Sequence, residues 1–336
     1  MKHLFLIISL SLSVFTFSQN ASQYSVVNKF HLPGDGSWDY ISVDSKSHLY
    51  VSHGAIVQIV DSKNGAVLGT IENLNGVHGI AIAESVNKGF ISSGRDSVVA
   101  VFDLTTYKII EKIKVAGANP DAILFDPFSS KVFVFNGRSS NATVIDANTD
   151  KIVTTIKLEG KPEFSVTDKK GKVYVNIEDK SMVTCINSQD LKVIKSWSIK
   201  PGEEPSGLAA DFANDKLFMV CENNKMIVFD LKTEKVVDTL KTGSRTDGAA
   251  FDEGLKRAYS SNGDGTLTVV EENGNKFKIL ENVTTQTGAR TVCVDQKTHH
   301  IYMPTAEFEP LATGEKRPKV KPGTFVILEV VPNLPK

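Results

Sequence analysis

The chain has 336 residues, 41% of them hydrophobic and 23% charged, and carries a formal net charge of −1. That composition belongs to a globular protein and excludes disorder. A charge so close to neutral excludes a basic, polyanion-binding domain.

Met1 to Ser18 combines a short basic start at Lys2 and His3, an apolar run from Leu4 to Phe17, and small residues at Thr16 and Ser18. This is the pattern of a secretory signal peptide cleaved before Gln19. The apolar run is too short, and too interrupted by serines, for a membrane span. Loss of the leader removes Lys2, so the mature charge becomes 37 − 39 = −2. No cysteine follows the cleavage site to carry a lipid. The expectation is a soluble periplasmic or secreted protein in which residues 19–336 form a single domain.

The segment Ile123 to Ser165 sets the pattern for the rest. It reads as four short runs of alternating apolar and polar residues, Ile123 to Asp126, Lys131 to Phe135, Ala142 to Asp146 and Lys151 to Leu158. Alternation at period two between turn residues predicts half-buried strands. The first run recurs along the chain, ending at Asp44, Ala83, Asp126, Asp168, Asp211, Asp252 and Asp295, at spacings of 39, 43, 42, 43, 41 and 43. Four strands per unit at that period predict propeller blades. The last unit supplies only three strands, Thr291 to Asp295, His300 to Met303 and Thr324 to Val330. The missing fourth is found at the start of the chain, where Tyr24 to Phe30 and then Gly34 to Asp39 match Tyr107 to Ile113 and then Gly117 to Asp121. The fold class is therefore all-β: a seven-bladed β-propeller of four-stranded blades, closed by an N-terminal strand that completes the last blade and removes exposed edges.

Cys185, Cys221 and Cys293 fall in strands of different blades, which argues against disulfides and for buried small apolar residues. No haem-attachment, zinc-protease, nucleophile-elbow, phosphate-loop or EF-hand motif is present. Of the residues ending each third strand (Asp61, Asp103, Asp146, Asn187, Asp230, Glu271 and Glu329), six precede turns, and the set is read as turn caps rather than as a functional ring.

Chemistry in a propeller gathers where the loops entering the first strands meet those joining the second and third. Five residues before each anchor stand Asp39, His78, Asp121, Glu163, Ser206, Asp247 and Arg290. Ends of the second strands contribute His53, Ser93, Asn136, Cys221, Asn262 and Thr305, with Glu178 and Glu222 one step on. Arg95 and Arg138 follow glycines at the same mouth. The acids can hold a divalent cation such as Ca²⁺ through carboxylate oxygens or activate water. For His78 as a metal ligand, His53 is the only second histidine nearby. The last blade departs from the pattern between Thr305 and Thr324, where a long segment basic at Lys316, Arg317, Lys319 and Lys321 replaces a short turn. Such an insertion predicts a lid or a partner contact over the rim.

The chain resembles the YVTN-repeat, or YncE-like, family of exported β-propellers. The likeness rests on HGIA (78–81), NPDAILFDP (119–127), FNGRS (135–139), KPEF (161–164), GKVYVNIEDKS (171–181), EPSGLA (204–209), SSNGDGTLTVV (260–270), TGART (287–291) and PTAEFEP (304–310). It implies a periplasmic seven-bladed propeller. Wider relatives include quinoprotein amine dehydrogenase and haem d1 propellers, lactonases and a propeller that binds single-stranded DNA. No catalytic residue is carried over from them. The functional expectation is a non-catalytic module that binds a small molecule or a protein through its polar rim. The alternatives are a metal-assisted, lactonase-like hydrolase using Asp39, Asp121, Glu163 or Asp247, and single-stranded DNA binding through Arg95, Arg138, Arg290 and the basic loop with Trp38 and Phe164. Acids in the same funnel disfavour the last.

Overall fold

The computed structural model describes residues 23–311, 314–315 and 317–333. The leader therefore lies outside the described residues, as does Lys316. Seven four-stranded antiparallel sheets form a ring. Six are continuous in sequence: blades 1 to 6 span residues 38–71, 77–114, 120–157, 162–198, 205–241 and 246–284. The seventh combines Cys293–Val294, Ile301–Thr305 and Val326–Pro332 with the N-terminal strand Tyr24–His31. That strand runs antiparallel to Val326–Pro332, with Tyr24 opposite Pro332 and His31 opposite Val326. Among the described residues no helix is long and apolar enough to cross a membrane.

Strict alternation fails in the middle of each blade. Val132, Phe133, Val134 and Phe135 are all fully buried, as are Leu217, Phe218, Met219 and Val220. Each blade is sandwiched between two others, so its second and third strands have no solvent face. Only the outer strands keep a solvent-facing side; in Lys151–Lys157 five of seven residues are exposed. Rings interlock between blades, with Phe218 stacked on Phe251 at 5.3 Å and Tyr50 beside Phe102 at 6.0 Å. Burying each aromatic side chain contributes about 1.5–3 kcal/mol.

Asp61, Asp103, Asp146, Asn187 and Asp230 cap their turns as the sequence suggests, whereas Glu271 faces Arg257 and Lys278, and Glu329 bonds Asn28 and His300 within its own blade. Asp103 Oδ1 accepts from the Thr105 and Thr106 amides, Asp146 Oδ1 from those of Asn148 and Thr149, and Asp230 Oδ1 from those of Lys232 and Thr233. The anchors Asp44 and Asp168 cap the first hairpins in the same way. All three cysteines are buried and unbridged.

One irregularity repeats where it matters. The innermost strand of each of blades 1 to 6 loses register with its neighbour near the channel mouth, between Trp38 and Ile41, Val77 and Ile80, Pro120 and Ile123, Pro162 and Ser165, Pro205 and Leu208, and Thr246 and Ala249. These bulges each release two residues from the ladder and re-aim their side chains.

The N-terminal strand Tyr24–His31 is fastened by Tyr24, whose hydroxyl lies 3.0 Å from the Tyr259 hydroxyl and accepts from Arg257 at 2.7 Å. Tyr24→Ala is expected to cost about 3–5 kcal/mol in a denaturant titration, and to promote self-association in size-exclusion chromatography by loosening a sheet edge.

Candidate functional site

The residues released by the bulges are the column read from the sequence: Asp39, His78, Asp121, Glu163, Ser206 and Asp247 each fall inside one. All six, with Arg290 from blade 7, line a single cavity of about 360 Å³ at the channel mouth. Backbone positions are pinned by neighbouring hydroxyls. Ser52 Oγ accepts from the Asp39 amide, Ser92 Oγ donates to the Asp121 carbonyl, and Thr291 Oγ1 donates to the Asp39 carbonyl at 2.5 Å.

The charges in this cup pair unequally. Lys161 bridges Glu163, at 2.6 Å, and Glu178. Arg290 pairs with Asp247 at 2.6 Å and donates to the Trp38 carbonyl at 2.9 Å. His78 Nδ1 lies 2.6 Å from Asp39 Oδ2 and 3.7 Å from Asp121 Oδ1. Burial disfavours the imidazolium, yet Asp39 and Asp121 outweigh it and raise the His78 pKa. Burial opposes the Lys161 charge too, and its two carboxylate partners hold it above the ordinary range. Burial, with Asp39 beside it, pushes Asp121 up to about 6 against the opposing pull of His78. Glu163 rises to about 8 through burial and the nearby Asp121. Asp247 is raised by burial despite Arg290. Buried carboxyls that hold protons near neutrality can donate as well as accept, and such perturbed groups gather at functional sites.

Tyr40 and Phe164, one residue deeper than Asp39 and Glu163, form the floor. Their rings stack at 4.6 Å across the channel, joining blades 1 and 4. Burial and the surrounding acids Asp121, Glu163, Asp39 and Asp247 keep the Tyr40 phenol protonated. The opposite mouth holds a separate cavity of about 550 Å³, lined by turn residues that include Asp168, Lys169, Lys170 and Asp211.

The described residues of the insertion in the last blade, 306–311, 314–315 and 317–323, lie over the rim as a strap. Phe308 and Val320 form an antiparallel bridge, flanked by Glu309 N to Lys319 O and Lys321 N to Glu307 O, each 2.8 Å. Phe308 packs against Trp38, with ring centroids 6.0 Å apart, and over Gly288. Gly288 has φ +84°, and a Cβ there would lie 2.5 Å from the Phe308 ring, so this seat requires glycine. The Gly323 amide donates to Asp35 at 2.9 Å and ties the strap's end to the loop before blade 1. Arg317 lines the cup and also an adjoining cavity of about 700 Å³ shared with Glu178, Glu222, Asp247 and Arg290.

Not every expected site residue reaches the mouth. His53 is buried, bonded through Nδ1 to Gln58 at 3.2 Å and stacked on Phe325 at 3.9 Å; burial lowers its pKa. It is an interior ring and cannot be the second histidine of a site at His78. Asn136 and Asn262 are fully buried too. Asn136 Nδ2 donates to Asn141 at 2.7 Å and Thr143 at 3.0 Å, and Asn262 Nδ2 to Thr266 and Thr268, both 3.0 Å. Both therefore cross-brace their own blade, a role signalled by the threonine two residues into each third strand. Arg138 is exposed and lines none of the cavities described, whereas Arg95 lines one of about 450 Å³ beside His78 and Arg290. The single-residue columns missed Lys161, which precedes the Pro-Glu of its bulge, and Tyr40. Cys221 is buried, and burial pushes its thiol up to about 12, so it is no nucleophile.

No protein-family model matches the chain, and no curated protein does. Among solved structures 1842 chains match, so the architecture is too widespread to indicate a reaction. One of them is hydrazine synthase from Kuenenia stuttgartiensis, with a TM-score of 0.68 and 17% sequence identity over 81% of this chain and 94% of that chain. A likeness at that identity shows the propeller fold alone.

The sign of the Glu163 shift makes a prediction. A carboxyl whose folded pKa is raised from 4.5 to about 8 favours the folded state most at low pH, and that contribution is lost as pH rises through 8. Glu163→Gln should therefore gain about 1–3 kcal/mol relative to the parent between pH 5 and pH 9, measured by chemical denaturation at the two values. Asn262→Ala, by contrast, should destabilise by about 1–3 kcal/mol with no pH dependence in the same titrations.

Proposed function

We propose that the chain is an exported member of the YVTN-repeat, YncE-like propellers and binds a small polar ligand in the cup without transforming it. The observation that carries this reading is the strap. Of the turns joining second and third strands, it is the long departure from the repeat, and it contributes Arg317 to the two cavities that meet at the mouth. A fold that needed only closure would have no use for it. The Tyr40–Phe164 stack supports the same reading by bridging blades 1 and 4 within the cup. The leader pattern at residues 1–18 supports export, and the strings at residues 119–127, 171–181 and 304–310 support the family. The carboxylates of Asp39, Asp121, Glu178 and Asp247 at the mouth oppose entry of a phosphate backbone.

The test is to purify the chain from an exporting host, release small molecules by denaturation and identify them by mass spectrometry. A molecule retained by the wild type should be lost from Asp121→Asn and weakened at least about tenfold in Arg317→Ala, with both variants still folded by circular dichroism. Turnover of a lactone that vanishes in Asp121→Asn would replace the binding reading with a hydrolase. Absence of any retained molecule, together with no thermal shift across a panel of polar metabolites, would remove it.

A further inference from the structure

The cup is short of positive charge, and the shortage is local. Besides Glu163, which holds its proton near neutrality, four carboxylates line it, from Asp39, Asp121, Glu178 and Asp247, against three permanent cations, Lys161, Arg290 and Arg317. Lys161 is committed to Glu163 and Glu178, and Arg290 to Asp247. Asp39 and Asp121 are left facing a neutral-capable imidazole. Of the described residues, Asp39, His78 and Asp121 form the group whose ligand atoms lie within 4.8 Å of one another.

The donors are positioned rather than merely near. His78 Nδ1 faces the two carboxylates while Nε2 is turned to Gly94, where a Cβ would come within 2.7 Å of it. Asn119 Nδ2 donates to Asp121 Oδ2 at 3.2 Å, leaving Oδ1 towards the imidazole. The Asp39 backbone is held at its amide by Ser52 and at its carbonyl by Thr291, and the Asp121 carbonyl by Ser92. The Asn119 contact, made to the donor carboxylate itself, is of the kind that orients metal ligands, and the others fix the backbone that carries them. The two distances from Nδ1, 2.6 and 3.7 Å, bracket the edge of about 3.4 Å expected between ligands on a tetrahedral ion with bonds of about 2.1 Å.

We propose that Asp39, His78 and Asp121 form a divalent transition-metal site, with Zn²⁺ as its type, bound through His78 Nδ1 and one oxygen from each aspartate. This deepens the reading of the cup as a ligand site and rests on it. One imidazole nitrogen and two carboxylates suit Zn²⁺, Co²⁺ or Mn²⁺ better than Ca²⁺, which prefers six to eight oxygens. On binding, the ion takes the place of the proton between His78 and Asp39. Three protein donors leave further positions open towards the cup for water or a second ligand.

The test uses the full chain, stripped with chelator and dialysed, and titrated with ZnCl₂, CoCl₂ or CaCl₂. Expected are one Zn²⁺ per chain by calorimetry, a rise in melting temperature reversed by chelator, and visible absorption bands on adding Co²⁺. His78→Ala and Asp121→Asn should each weaken Zn²⁺ at least about 100-fold, and Gly94→Ala, which displaces the imidazole without touching a donor, about 10-fold. Glu203→Gln, an exposed acid on the loop entering blade 5 that lines none of the cavities described, should leave affinity unchanged and so controls for the general acidity of this face. Absence of stoichiometric binding, or Zn²⁺ affinity unaltered by His78→Ala, would overturn the metal site. An organic molecule retained in the cup and lost from Glu163→Gln, in a protein that shows no stoichiometric Zn²⁺ binding, would overturn the metal site while leaving the cup's binding role intact.

Discussion

Everything at the mouth depends on a defect in the hydrogen-bond ladder. A regular innermost strand alternates its side chains between the two neighbouring blades, which would turn the equivalent residues Asp39, His78, Asp121, Glu163, Ser206 and Asp247 into apolar interfaces. The bulge at each of these positions breaks that alternation and aims the residue along the channel. Its cost is two unpaired backbone residues per blade. Ser92 and Ser261 repair it from the adjoining strand by accepting from the Gly79 and Gly248 amides, and Asn176 repairs it from the neighbouring blade by donating to the Ser206 and Gly207 carbonyls. The site is thus assembled by backbone irregularity, and the regular sheet only supplies the frame.

The frame must be stiff for this to work, because the cup brings like charges together. Asp121 and Glu163 are both raised by burial and by proximity to other acids, so the ionised cup pushes outward on the blades that carry it. Closure opposes that push. The strand Tyr24–His31 joins the first and last parts of the chain within one sheet, so the ring cannot relieve the repulsion by opening at a seam. The Tyr40–Phe164 stack ties opposite walls directly beneath the charges. Stability spent in this way is characteristic of preorganised sites, where an incoming ligand supplies the missing compensation.

The strap illustrates how function is grafted on a repeat. Blades 1 to 6 obey the same spacing because each solves the same packing problem, and blade 7 departs from it where Phe308 can seat on Trp38 and Gly288. A fold shared with 1842 solved chains carries little information about chemistry; the departures from it carry more.

The linear chain by itself determined the ring. Anchors 39 to 43 residues apart, turn residues between short apolar runs, and a last unit lacking one strand suffice to specify seven four-stranded blades, since each cue is local and repeated. The acidic column was legible for the same reason, as positions equivalent in every repeat share one place in the ring. Which polar residues face water was not legible. Asn136, Asn262 and His53 occupy repeat positions as regular as those of Asp121 and Glu163, yet they turn inward to brace Thr143, Thr268 and Gln58. Lys161 and Tyr40 lie off the column and still enter the cup. Periodicity states where a residue stands along a strand; only packed neighbours and the bulge decide which way its side chain points, because that choice is made by contacts between blades remote in sequence.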